Sequence, residues 1–212
     1  MNLPVLILLL GFLYVVFFGA LAWLRREGLS GRFAVEAAVL TVVAGGLTAL
    51  TNFPTHPVAF LLIVYLLTMR VRLIVDVGNL SAQRGSFTQA DRLYALALRM
   101  WPDSAGRLVV QVNQGVSCLQ QGALDEAIAI FKGVLQSAGQ GYLGIKYEAA
   151  THYNLGVAYR RKGMEAQAKV EFNAVLDTWP VSQYARSARI ALEQARHKDK
   201  PAEPPQDTPG KA

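Results

Sequence analysis

The sequence predicts an all-α protein: three transmembrane helices followed by an α-solenoid of about three helical hairpins and a capping helix. Three observations carry this. The first 69 residues hold long uncharged runs and only five charged side chains, Arg25, Arg26, Glu27, Arg32 and Glu36. Residues 70–197 repeat one pattern of glycine, alanine and aromatic positions three times. The final stretch, KDKPAEPPQDTPGKA, is proline-rich and has no large apolar side chain. Of the 212 residues 52% are apolar and 17% charged, against a usual charged share of about a quarter, and the deficit comes from the N-terminal part. The chain divides accordingly into a membrane domain, 1–70, a helical domain, 71–197, and a tail, 198–212, expected to be disordered.

The membrane domain is read as spans at about 3–24, 33–50 and 53–72. Leu3 to Leu24 carries no charge over 22 residues, enough to cross a bilayer. The second run, Phe33 to Leu50, has one charge, Glu36, near its end. The third is uncharged only from Pro57 to Met69. It reaches spanning length by taking in Phe53 to His56, or by running past Arg70 and Arg72, whose long side chains reach the headgroups. Arg25, Arg26 and Arg32 flank the first loop, and Arg70 and Arg72 follow the third span; the second loop, TNFPTHP, and the N-terminus have no Lys or Arg. The positive-inside rule then places the N-terminus outside and the first loop, the helical domain and the C-terminus in the cytoplasm, in a bacterial inner membrane. The positive charges follow the first apolar run and do not precede it, which argues against a cleaved signal peptide. Glu36 is expected to pair with Arg32, four residues away. Gly45-Gly46 and the Gly19, Ala20, Ala22 patch would let helices approach closely.

In the helical domain, turn glycines Gly85, Gly122 and Gly163 recur at spacings of 37 and 41. Each has a glycine seven residues before it (Gly78, Gly115, Gly156), an alanine five after (Ala90, Ala127, Ala168) and an aromatic four beyond that (Tyr94, Phe131, Phe172). Two packed helices need small residues where their backbones meet, the turn needs glycine, and the aromatic fills the space between hairpins. Pro102 and Pro180 block helix continuation in the same phase of units one and three. The units are read as about 71–104, 108–138 and 149–182, with a capping helix over 183–197 whose apolar stripe is Tyr184, Ala188, Ala191, Leu192 and Ala195. Nothing in TMRVRLIVDVGNL stops a helix, so the third span is expected to run straight into the repeats. The glycine-rich insertion over 138–146 is expected to be a flexible loop or a widened junction.

The pattern resembles the tetratricopeptide repeat, whose signature runs Trp-x-x-Leu-Gly-x-x-Tyr, then Ala-x-x-x-Phe, then Pro. The third unit reads His152, Leu155, Gly156, Tyr159, Ala168, Phe172, Pro180, with His152 in place of the Trp. The resemblance implies peptide or protein binding in the concave groove lined by the first helix of each unit. Those helices offer Arg72, Asn79 and Gln83, then Asn113, Val116 and Gln120, then Tyr153, Asn154, Val157, Arg160 and Arg161. One subgroup of the family clamps a C-terminal carboxylate with two asparagines and three basic residues. Asn79 and Asn113 match the asparagines, but Val75, Ala150 and Asn154 stand where the bases belong, so that clamp is not intact.

Among chemistry-bearing motifs there is no phosphate loop, no HExxH and no CxxC. With one cysteine, Cys118, a disulfide within the chain and a cysteine metal site are excluded. Cys118 and His152 sit at packing positions, and Asp125-Glu126 open a helix where acids suit the dipole. The protein is therefore read as no enzyme, with no cofactor, no metal and no nucleic-acid partner. Arg160, Arg161 and Lys162 form the densest basic cluster. It is open to two readings: a site for an acidic partner or anionic lipid, or a solvated helix end. The functional expectation is a membrane-anchored adaptor or scaffold that binds a protein partner, in the manner of an assembly factor. The alternative is a permanent accessory subunit of a larger membrane complex, respiratory or photosynthetic, joined through its transmembrane helices.

Overall fold

The computed structural model describes residues 2–26, 31–51, 55–138 and 143–198. The expected disordered tail therefore lies outside the described residues, as do the middle of the glycine-rich insertion and part of the first two loops. The described residues form ten helices and no strand: α1 (Leu3–Leu24), α2 (Gly31–Thr51), α3 (Pro57–Thr68), α4 (Arg70–Gln83), α5 (Phe87–Arg99), α6 (Ser104–Gln121), α7 (Leu124–Ala138), α8 (Ile145–Arg161), α9 (Glu165–Thr178) and α10 (Gln183–Lys198).

α1 and α2 are each long and apolar enough to cross a membrane. They pack on α3 around Ile7, Tyr14, Ala37, Phe60 and Val64. The outer faces keep large apolar side chains exposed, among them Phe12, Phe17, Val42 and Leu50, an arrangement that suits lipid and not water. The close approach of α1 to α2 falls at Gly11. A methyl there would collide with the Thr41 side chain. Gly45 lies against Leu8, but Gly19 and Gly46 have nothing within 4 Å of an added methyl. Of the glycines the sequence pattern marked, Gly45 thus sits at a helix contact while Gly19 and Gly46 do not, and Gly11, at the closest approach, is one it had not marked.

The continuous third helix is corrected by the structure. α3 ends at Thr68 and α4 begins at Arg70, with the two axes bent by 68°. The break is one residue wide: the Met69 N–H still bonds Tyr65 O and the Leu73 N–H bonds Met69 O, both at 2.9 Å. No proline or glycine causes it. Arg70 supplies the reason, because its guanidinium grips Glu36 of α2 while its Nε–H donates to Met100 O at the end of α5 at 3.3 Å. A straight helix would carry the hairpins away from both partners. With 12 residues, α3 alone is about 18 Å long, short of a hydrocarbon core of about 30 Å. Among the described residues, two helices are long and apolar enough to cross a membrane, or three if the bent pair is taken as one.

From α4 onward the chain forms helical hairpins, α4/α5, α6/α7 and α8/α9, closed by α10. Each hairpin turns the same way. Gly85, Gly122 and Gly163 have φ of 77°, 82° and 78°, the left-handed region that a side chain disfavours. The N–H of the next residue (Ser86, Ala123, Met164) then returns to the carbonyl five residues back (Ser81, Cys118, Tyr159), at 2.9 Å in all three. This satisfies a carbonyl that the helix end would leave open. Within each hairpin the second helix lays its aromatic on the first helix's glycine. A methyl on Gly78, Gly115 or Gly156 would meet Tyr94, Phe131 or Phe172 at 2.7, 2.6 and 2.7 Å. The aromatic thus closes first on its own hairpin, and only then contributes to the core shared with the next. The last hairpin is covered by α10 through Ala185, Ala188 and Ala191, all buried. In the insertion, Leu143 is buried with Leu108, Val112 and Val134, and α8 starts two residues later, so this end of the insertion is packed and not loose.

Candidate functional site

The first helices of the hairpins lie side by side, and their inner face begins at the bundle of α1, α2 and α3. Where they meet the ends of α1, α2 and α3 there is a cleft of about 640 Å³. α4 contributes Arg72, Val75, Asp76 and Asn79, α6 contributes Val109 and Asn113, and α8 contributes Lys146 and Tyr147. The bundle contributes Arg25, Arg32, Phe33 and Glu36 with apolar side chains such as Phe18, Leu21 and Tyr65. The bundle thereby forms one side of the cleft and the hairpins the other.

The cleft is held by an ion-pair cluster. Glu36 Oε1 accepts from Arg32 Nε at 2.6 Å, and its two oxygens take the Arg70 fork at 2.6 and 2.9 Å. The bidentate geometry fixes α4 against α2 in orientation as well as distance. The pairing of Glu36 with Arg32 was legible from their spacing; Arg70 was read only as a residue reaching the headgroups. A second tie joins the first loop to the array: the Lys146 N–H donates to Arg26 O at 3.3 Å. A third joins α1 to α3 through Tyr14 Oη and Thr68 Oγ1, 2.7 Å apart.

Of the residues expected to line the groove, Arg72, Asn79 and Asn113 share the cleft wall. Gln83 and Gln120 are exposed near the far ends of α4 and α6. The others do not line the cleft. Val116, Tyr153 and Val157 pack against the shared core, with the Tyr153 ring between Phe172 and Tyr184, each centroid 5.9 Å away. The asparagines are engaged at home. Tyr94 Oη donates to Asn79 Oδ1, and the amides of Asn113 and Asn154 donate to Val109 O and Ala150 O, all at 2.8 Å. In the basic cluster, Arg160 lies over the Phe172 ring at 5.7 Å, Arg161 donates to Leu119 O at 2.9 Å and Lys162 pairs with Asp125.

His152 Nδ1 lies 2.7 Å from Glu171 Oε2, a polar link across α8/α9 where the repeat pattern puts a Trp. Cys118 is buried, and its thiol is pushed up to about 11 by that burial first and by the charges of Glu126 and Asp91 next. It is a poor nucleophile in consequence. Among the described residues no three His, Cys, Asp or Glu gather where they could hold a metal ion. The cleft residues that the sequence reading did not place at a site include Lys146, Trp101 and Arg25; a tryptophan close in sequence to the arginines of a helix junction was the available signal.

Residues 106–180 match the family model described as tetratricopeptide repeat. The match covers all but the first turn of α6 and runs through α7, α8 and α9. The α4/α5 hairpin lies outside it but repeats the same glycine turn and glycine–aromatic contact. No curated protein matches the chain.

Proposed function

Residues 106–180 form a tetratricopeptide-repeat array, a protein–protein interaction module, and on that premise we propose that the protein is a membrane-anchored scaffold. α1–α3 hold it in a bacterial inner membrane. Its concave face, from α4, α6 and α8, binds a soluble protein, in the manner of an assembly factor. The observation that carries this reading is the position of the groove, which starts at the bundle and runs outward past Asn79 and Asn113 toward Gln83 and Gln120. The basic first loop rests on α8 through Arg26 and Lys146, which puts it on the side of the array. This supports an N-terminus outside and an array in the cytoplasm under the positive-inside rule. The Arg160–Lys162 cluster belongs with the partner reading. At 1.5 Å per residue it lies about 22 Å along α8 from Lys146, at the helix end away from the bundle.

The alternative, a permanent accessory subunit of a membrane complex, draws on Gly46, which has open space over it on an otherwise apolar outer face. One experiment separates the two. The full chain is purified in mild detergent with its bound proteins as wild type, as Gln83→Trp/Gln120→Trp, and as Gly46→Leu. Scaffold function predicts a soluble protein lost from the groove variant and kept by Gly46→Leu. The reverse pattern, integral membrane proteins lost only from Gly46→Leu, identifies the subunit and overturns the scaffold.

A further inference from the structure

We propose that the cleft between the bundle and the array is a binding site for an anionic phospholipid, its phosphate held by basic side chains and its acyl chains on the membrane helices. The inference rests on the membrane reading above and adds a ligand to it. Five basic side chains line the cleft, Arg25, Arg32, Arg70, Arg72 and Lys146, against three carboxylates, Glu36, Asp76 and Asp103. The balance is two positive charges, with Arg32 and Arg70 both engaged by Glu36 and Asp103 also accepting the Gly106 N–H at 2.8 Å. The surplus is positive and sits at one level of the molecule, where the apolar ends of α1, α2 and α3 give way to the array.

The lining is layered in the same sense. On the bundle side Phe18, Leu21, Phe33 and Tyr65 give apolar surface for acyl chains, edged by Arg25, Arg32 and Glu36. On the array side Arg70, Arg72 and Lys146 are phosphate donors, beside Asp76 and Asp103 and the apolar Val71, Val75 and Val109. A free phosphate would use only the second layer, and a water-soluble acidic peptide would leave the first one bare. A phospholipid uses both.

Backbone strain gathers at the same place. Among the described residues, the non-glycine positions with positive φ are Arg26, at 56°, and Trp101, at 50°. Such conformations persist only where the surrounding structure holds them, and they cluster at ligand sites. Trp101 lines the cleft and is 78% exposed. A tryptophan so exposed is suited to the headgroup level of a bilayer.

The test measures lipid affinity of the full chain in detergent, by the quenching of tryptophan emission with brominated phosphatidylglycerol, brominated phosphatidylcholine and inorganic phosphate as probes. Phosphatidylglycerol should bind at least tenfold more tightly than phosphatidylcholine, and phosphate should not compete at equal concentration. Arg25→Ala and Lys146→Ala should each weaken phosphatidylglycerol binding about fivefold, the effect of about one basic residue at a membrane surface. Arg92→Ala, which removes the same charge from the exposed face of α5, should leave it unchanged. Equal binding of the two lipids, full competition by phosphate, or an equal loss in Arg92→Ala overturns the proposal. So does a photo-cross-linker at position 101 that captures a polypeptide in place of lipid in intact membranes. Release of the chain from membranes by alkaline carbonate would instead overturn the membrane reading on which the site depends.

Discussion

Gly156 and Gly133 both lie inside helices, and the same substitution should act on them in opposite directions. At Gly156 a methyl would come 2.7 Å from the Phe172 ring. Overpacking of a filled core costs about 1–3 kcal/mol, while alanine regains about 1 kcal/mol of helix propensity. Gly156→Ala should therefore lose about 1 kcal/mol net and lower the melting temperature. Gly133 has nothing within 4 Å of the added methyl, so Gly133→Ala keeps only the propensity gain of about 0.5–1 kcal/mol and should melt higher. Thermal unfolding of both in one detergent decides it; two shifts of the same sign would sink the argument. Cys118 gives a second residue-scale prediction. Its thiol ionises near the ordinary 9.0 in the unfolded chain and near 11 when folded. The stability tied to it is fully present below pH 9 and is lost as pH rises to 11, because only the unfolded chain has released the proton. Two pKa units amount to about 2–3 kcal/mol. Cys118→Ala should flatten the fall in melting temperature between pH 9 and 11, and maleimide at pH 7 should label the folded wild type slowly and the unfolded chain fast.

The elements show which parts of such a fold are written locally. The turn glycines were legible at Gly85, Gly122 and Gly163 because a left-handed residue is a demand of the turn itself, independent of what packs around it. The small residues at Gly78, Gly115 and Gly156 were legible because the repeat aligned them with Tyr94, Phe131 and Phe172. The bend at Met69 was not. Its local sequence is a good helix on both sides, and what breaks it is Arg70 reaching Glu36 in another helix and Met100 O at the end of a third. Gly11 escaped notice for the same reason: nothing in α1 says that Thr41 of α2 will cross there. The insertion was read as a flexible loop or a widened junction; its middle lies outside the described residues, and Leu143 anchors its end in the core of Leu108, Val112 and Val134.

For the whole molecule, the consequence of the bend is that the array is fixed to the bundle by polar ties at their junction, and those ties also build the cleft. The Glu36 and Arg70 side chains are about three-quarters buried, 25% and 21% exposed. Removing Arg70 leaves Glu36 still paired with Arg32, so Arg70→Ala should preserve the helices but release α4 from α2. Removing Glu36 leaves Arg32 and Arg70 facing each other without their shared anion, so Glu36→Gln should disturb the junction more. The loss of one partner from a buried pair reaches about 3–5 kcal/mol, and partial exposure brings this to about 1–3 kcal/mol. The readout is the contact between the first loop and α8. Cysteines at Arg26 and Lys146, in a Cys118→Ala background, should cross-link rapidly with a short bis-maleimide in the otherwise native chain. They should do so several-fold more slowly with Arg70→Ala, and more slowly again with Glu36→Gln, while circular dichroism stays unchanged. Equal rates in all three would mean that the array is held by apolar contact alone and that the arginines at this junction do not position it.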